Sequence, residues 1–504
     1  MKLTRLISRL LFATTASALT VDLDDPESIS ANAALIAQGL MNYYDGHRYG
    51  GVVGMFVFPY YWWEAGAAWN SMLDFWYYTG NDTYNDVVKE ALLYQVGKNN
   101  DYLPVNQSTT EGNDDQGFWG ITAMAAAEKN FSNPGKDEPQ WLYLAQAVFN
   151  TMSARWDTDN CGGGLRWQIY TWNNGYDYKN TVSNGCLFNL AARLYRYTGN
   201  DTYLHWAEKA WDWCEKSGLL NKEDHYHIRD GVDVNNCTNI TPYVWTYNAG
   251  LFIGGSAFLY NATSDEQWAT RAKNIWTGCE DLFFQDDKMV EISCQQTRIT
   301  CNNDQRCFKA IFSRFIGYAA LFLPDIRDDI MKKLRASATA ALATCSGGSD
   351  GHTCSIDWLT GSYSNDWIGL GEQMSALEVL QNNLIFNPKM APKPTTNENG
   401  TTSGGVGPLT HDTGGTSEGS PDAGSSSANP LLMNLDIKGS DKAGAGVITA
   451  VLLIGVLGSG WWMRRVRKSV VKKTLSHSPQ LIPNVYCLQY RNCYKQNLFI
   501  EEMN

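Results

Sequence analysis

Basic side chains are scarce in this sequence. Its 504 residues hold 40 Lys and Arg against 52 Asp and Glu, for a formal net charge of −12, and only 18% of all residues are charged. Nucleic acid is excluded as a partner class, because phosphate binding needs clustered cations. Histidine is scarcer still, at seven scattered residues. None sits at ligand spacing beside the cysteines Cys279, Cys294, Cys301 and Cys307, so no zinc signature arises, and neither a metal nor a cofactor is expected. Scattered His also gives no support to a lyase or sugar epimerase, which would want paired His or Tyr bases. Long apolar runs are missing too, with one exception near the C-terminus.

Aromatics are plentiful, with 19 Trp and 26 Tyr. Together with many amides and acids they suit a neutral, hydroxyl-rich ligand. Residues 1–18 read as an export signal: positive "MKLTRLISR", a short apolar run, and the small-x-small site Ala16-Ser17-Ala18. Export fits the eight Asn-x-Ser/Thr sequons at Asn81, Asn106, Asn130, Asn200, Asn236, Asn239, Asn261 and Asn399. It also fits ten cysteines between Cys161 and Cys354, an even number that favours disulfides. Residues 389–440 are rich in Pro, Gly, Ser and Thr and predict a flexible stalk. Residues 443–463 are uncharged and make a helix of roughly 31 Å, enough to cross a bilayer. Small residues before that run match a GPI-attachment signal. The basic "RRVRKSVVKK" after it matches the flank of a spanning helix. Either way the chain is expected on the outer side of a plasma membrane or in a cell wall, held through its C-terminal segment. Residues 464–504 are left unassigned.

The body, residues 19–388, is built of repeats. "YTGNDTY" occurs at 78–84 and again at 197–203, each copy between two amphipathic runs. Gly ends one helix there and Asn or Asp caps the next. Looser versions continue along the chain, and a Gly marks the first helix of each unit: Gly66, Gly117, Gly185, Gly250, Gly317 and Gly371. Six helix pairs with small residues at the inner contacts predict an all-α fold, an (α/α)6 barrel, with loops gathered at one end to make a cleft.

"TTEGNDDQGFWG", residues 109–120, places Asp114 and Asp115 at the mouth of that ring with no Lys or Arg nearby. One Asp would be read as a helix cap. Two adjacent acids can instead share a bond-sized space as nucleophile and acid/base, and their mutual repulsion keeps one protonated. Arg166 and Trp167 in "GGGLRW" could bind hydroxyls and stack on a sugar, and Trp119 and Trp172 could do likewise. Asn184 is either a helix cap or a sugar ligand, and Glu64, which begins an inner helix, is either a cap or a group facing the cleft.

The stretches "EGNDDQGFWG", "CGGGLRWQI", "KNTVSNGCLFNLAARLYRYTG", "RDG" and "WTYNAGLFIGG" resemble glycoside hydrolase family 76, nearest its fungal, wall-associated branch. The resemblance covers residues 20–388. It implies an (α/α)6 barrel and a retaining mannan endo-1,6-α-mannosidase, with Asp114 as nucleophile and Asp115 as general acid/base. It implies a third acid that binds the mannose, falling on Asp230 or the neighbouring Asp233, and a cleft lined by Tyr247 and Asn248. The expected ligand is an α-1,6-mannan or the mannosyl core of a GPI glycan. Transfer to a wall glucan acceptor is the alternative to hydrolysis, and a non-catalytic glycan-binding wall protein is the alternative of another class.

Overall fold

The computed structural model describes residues 18–295, 298–391 and 406–425, with short pieces at 395–396, 402–403 and between 449 and 465. The export signal, the basic tail and most of the apolar run at 443–463 lie outside the described residues. Among the described residues no helix is long and apolar enough to cross a membrane.

Six helices form an inner ring: α2 (Trp62–Thr79), α4 (Asn113–Glu128), α6 (Thr181–Thr198), α8 (Thr246–Thr263), α10 (Asn303–Phe322) and α12 (Leu370–Gln381). Each packs on the next and α12 packs back on α2, so the ring closes. Outside it lie α3 (Asn85–Tyr94), α5 (Trp141–Ala154), α7 (Asp201–Lys216), α9 (Glu266–Phe283) and α11 (Pro324–Ala343). The sixth outer helix is α1 (Pro26–Met41), the first of the chain, which packs on α12. The expected (α/α)6 barrel is therefore present, closed by an N-terminal helix that the repeat pattern had not paired.

Local sequence explains the helix ends. Gly80 and Gly199 of the two "YTGNDTY" copies end α2 and α6 with φ of 71° and 70°, and Asn200 caps α7 by accepting from the Thr202 amide at 3.0 Å. The marker glycines set how closely inner helices approach. A methyl at Gly117 would lie 2.6 Å from Cys186 Cβ on α6, and one at Gly250 would lie 2.9 Å from Phe312 Cα on α10. The inner helices are buried nearly all round, whereas α7 and α9 keep one polar face.

A small antiparallel sheet departs from the all-α expectation, as do two short strand pairs, Phe284–Gln285 with Lys288–Met289 and Thr395–Thr396 with Thr402–Ser403. The strands of the sheet are β1 (Tyr178–Asn180), β2 (Leu220–Asn221), β3 (His227–Asp233) and β4 (Asn236–Val244), with β3 pairing all three others. It leads into α8 at the mouth of the ring. Three disulfides form, Cys161–Cys237, Cys294–Cys301 and Cys345–Cys354. Cys186, Cys214, Cys279 and Cys307 are buried free thiols, so the even count overstated the cross-linking.

Residues 406–425 correct the reading of 389–440 as a stalk. They lie against the barrel: the Leu409 amide donates to the Glu128 carbonyl at 2.7 Å, and Leu409 and Ala423 are buried.

At the end of the ring away from the mouth, a buried ion cluster joins five inner helices. Asp74 on α2 accepts from Lys129 at 2.8 Å and from Arg314 on α10 at 2.8 Å. Arg314 also pairs with Glu378 on α12, and Arg193 on α6 meets Glu128 on α4 at 2.6 Å. Removing one partner of such a buried set strands the others. Arg314→Leu is expected to cost about 3–5 kcal/mol in urea unfolding of the purified domain. A loss under about 1 kcal/mol would show that the cluster does not hold the ring together.

Candidate active site

The mouth of the ring opens into a cavity of about 550 Å³. Its wall carries five carboxyls, Glu111, Asp114, Asp115, Asp230 and Asp304, among Trp, Tyr, Phe and amide side chains, and no Lys, Arg or His. Such a lining suits an uncharged polyol: carboxylates accept from hydroxyls and aromatic rings stack on C–H faces.

Asp114 and Asp115 are the second and third residues of α4, capped by Gly112. The two are held differently. Asp115 folds back, its Oδ2 accepting from the Gly112 amide at 2.5 Å. Asp114 Oδ2 accepts from Asn180 Nδ2 at 3.3 Å, and its Oδ1 is buried with no protein donor. Burial raises the Asp114 carboxyl to about 7, opposed by backbone amides of Asp114 and Asp115 and by Asn180. Burial and the charge of Asp114 hold Asp115 well above the carboxylate range. The two titrate as a pair, and Asp115, raised by the charge of Asp114 as well as by burial, holds its proton longer.

The remaining wall is fixed by short backbone ties. The Asn113 amide donates to the Trp167 carbonyl at 2.8 Å and the Trp167 amide to the Tyr178 carbonyl at 2.7 Å, which sets the Trp167 ring at the cavity edge. Asp230 on β3 accepts from Trp245 Nε1 at 2.9 Å and from the Tyr178 hydroxyl at 2.6 Å. Tyr247 lies flat on Phe308, ring centres 3.7 Å apart, and both face the cavity.

Several candidates lie elsewhere. Trp119 is fully buried between Trp62 and Tyr102, with centroids at 5.0 and 5.3 Å, and is core. Asn184 is fully buried and holds the Leu165 backbone, accepting from its amide at 2.8 Å and donating to its carbonyl at 3.1 Å. Arg166 pairs with Asp157 at 2.9 Å and stacks on Tyr176, away from the cavity. Asp233 ends β3 and accepts from the Asn235 amide at 2.7 Å, outside the cavity. Asn248 is fully buried and absent from the lining. Glu64 accepts from the Tyr61 amide at 2.5 Å as a cap, and burial raises it to about 8.

Asp304 was missed. It is the second residue of α10, accepts from Trp63 Nε1 at 2.8 Å and is raised by burial. A signal was available: "NDQ" at 303–305 repeats the "NDDQ" of 113–116 at the start of another inner helix.

Comparison with known proteins gives consistent results. The family model for glycosyl hydrolase family 76 matches residues 28–398. The chain is 52% identical to the mannan endo-1,6-alpha-mannosidase DCW1 of Saccharomyces cerevisiae, over 90% of this chain and 97% of that one. It is 50% identical to DFG5 of the same organism, named as the same activity, over 88% and 94%. The crystal structure of Dfg5 from Chaetomium thermophilum in complex with glucosamine matches with a TM-score of 0.74 at 38% identity, covering 84% of this chain and 99% of that one. The GH76A alpha-1,6-mannanase of Salegentibacter sp. HEL1_6 shares the fold, with a TM-score of 0.57 at 20% identity over 70% and 98%.

Burial keeps protons on the pair at a pH where unfolded Asp, near 3.9, has lost them. Stability is therefore given up as pH rises from about 4 through the raised folded-state values. Asp115→Asn, which cannot ionise, should melt at or above the wild-type temperature at pH 7–8, with the gap closing toward pH 4. A gap that widens on acidification would refute the assigned direction.

Proposed function

The chain belongs to glycosyl hydrolase family 76 and is a glycoside hydrolase, and on that premise we propose that it cleaves α-1,6-mannosidic bonds within mannan or mannosylated glycans by a retaining, double-displacement route. The observation that carries this reading is the unequal pair, Asp114 and Asp115, on one cavity with no cation in its wall. Asp114 attacks the anomeric carbon as the carboxylate. Its charge is stabilised by two backbone amides, by Asn180 and by the N-terminal end of α4. As the C1–O bond breaks, Asp115 gives its proton to the departing oxygen, and the sugar is left as an ester on Asp114. Water then attacks C1, Asp115 takes the proton, and the ester bond to Asp114 breaks. Asp230 and Asp304, each tied to a Trp indole, are placed to accept from the mannose hydroxyls, while Tyr247 and Trp167 offer ring faces. The relatives named as mannan endo-1,6-alpha-mannosidases support the substrate.

Transfer is the second reading, with a sugar hydroxyl in place of water and a wall glucan as acceptor. It is favoured by exposed aromatics around the mouth: Phe58, Tyr61, Trp172 and Tyr243. Trp172 donates to the Ser108 carbonyl at 3.3 Å, beside the cavity residues Gln107 and Thr110, so sugar-stacking surface continues beyond the cleavage point. In both readings the chain acts outside the cell in wall biogenesis, held at the membrane by a GPI anchor or a spanning helix from 443–463.

Incubation of the purified domain with α-1,6-mannan oligosaccharides tests this. The first-formed product should be the α-anomer by NMR, and a β-product would overturn the retaining route. Shorter products alone mean hydrolysis, whereas longer or hybrid products mean transfer. Asp115→Asn should lower turnover about 10²–10⁴-fold, and Asp114→Asn should abolish it. Full turnover in either variant would overturn the assigned roles, and a wild type that binds the oligosaccharide without turning it over would leave only a glycan-binding role.

A further inference from the structure

The end of α4 carries a group that the proposed chemistry does not use. Asn130 follows the helix in a left-handed conformation, φ 53°, and begins the sequon Asn130-Phe131-Ser132. Its amide is already engaged. Nδ2 donates to the Gly414 carbonyl at 2.9 Å, and Oδ1 accepts from the Thr416 amide at 2.9 Å and the Thr416 hydroxyl at 2.8 Å. One short piece of chain thus fills the edge of the amide between its oxygen and nitrogen. A sugar joined to Nδ2 in the trans amide lies along that same edge.

The piece belongs to the docked segment 406–425. Asn130 is the first of three Asn-based fastenings on it, with Asn133 Nδ2 donating to the Thr416 carbonyl at 3.1 Å and Asn150 Nδ2 donating to Pro421 and Ala423 carbonyls at 2.8 and 2.7 Å. The Ser417 hydroxyl accepts from the Leu142 amide in the first turn of α5 at 2.9 Å. The apolar side chains it buries are Pro408, Leu409 and Ala423. Such a segment is held mainly by polar contacts worth about 0.5–1.5 kcal/mol each, so losing those at Asn130 is a large share of its hold.

We infer that Asn130 is a modification-controlled clasp: bare, it fastens residues 406–425 to the barrel wall, and N-glycosylated, it releases them. The inference rests on entry into the secretory pathway and is independent of the catalytic reading. In the modifying step the amide nitrogen bonds to the anomeric carbon of a lipid-pyrophosphate-linked oligosaccharide. One amide proton is lost and the lipid pyrophosphate departs. The glycan and the docked segment need the same edge of the amide, so each excludes the other there. Fastening shortens the chain between the barrel and residue 443 from about fifty residues to fewer than twenty. Occupancy of one sequon would then set how far the cleft reaches from its anchorage.

The test is peptide mapping of the full chain from a eukaryotic secretory host, combined with limited proteolysis of 406–425. Ser132→Ala destroys the sequon without touching the Asn130 amide and sets the protected baseline. If Asn130 carries glycan in the wild type, the glycosylated fraction should be cut within 406–425 at least ten-fold faster than Ser132→Ala, and equal protection would overturn the inference. If the wild type is bare at Asn130, Leu409→Asp with Ala423→Asp should release the segment and bring glycan onto Asn130. A released segment with Asn130 still bare would overturn it equally. Circular dichroism that matches the wild type confirms that the variants keep the barrel.

Discussion

Asp74 is the point on which the ring turns. It is fully buried between Lys129 and Arg314, whose charges hold its carboxyl below the ordinary range despite burial. Through these partners and through Glu378, Glu128 and Arg193, three acids and three bases from α2, α4, α6, α10 and α12 balance one another at one end of the barrel. The sixth inner helix, α8, adds the Phe258 ring, 5.4 Å from the Arg193 guanidinium. Charges this deep are tolerable only when every member is present. The cluster therefore adds a fixed register at one end to helices that are buried nearly all round.

The same helices end very differently at the mouth. α2 carries Glu64, α4 carries Asp114 and Asp115, α10 carries Asp304 and α12 carries Glu372, all within the first turn and all with raised carboxyl values. A helix N-terminus favours an acid, yet here the acids crowd together, and Arg306, 3.5 Å from Glu372, is the near cation. Crowding acids without matching bases costs stability at neutral pH, and the neutral cluster at the far end lets the ring bear it. The result is a hollow in which carboxyls differ in proton affinity, as a reaction needing both a nucleophile and an acid requires.

Much of this could be read from the residues. The helix pairs follow from apolar spacing, the close inner contacts from one Gly per unit, and the two adjacent acids on the cavity wall from "NDDQ" at a helix start. What stayed hidden has identifiable causes. α1 precedes the first inner helix and lies far in sequence from α12, the helix it packs on. Residues 406–425 are composed like a linker because backbone groups and amides hold them rather than apolar side chains. Four thiols sit in the core as small apolar groups, which a cysteine count cannot distinguish from disulfide partners. Trp119, Asn184 and Asn248 share the types of a sugar site, but in a double ring of helices inward-facing positions far outnumber cavity positions, so type alone does not place them.

The wall chemistry also limits what can enter. A wall of acids without a Lys, Arg or His offers a phosphorylated or otherwise anionic sugar no counter-charge, so burying its charge in the cavity is costly. A neutral mannoside meets no such penalty, because its hydroxyls can donate to Asp230 and Asp304 and its C–H faces can lie on Tyr247 and Trp167. The shortage of basic residues in the whole sequence is thus sharpest where selectivity is set, and there it works as a filter on charge.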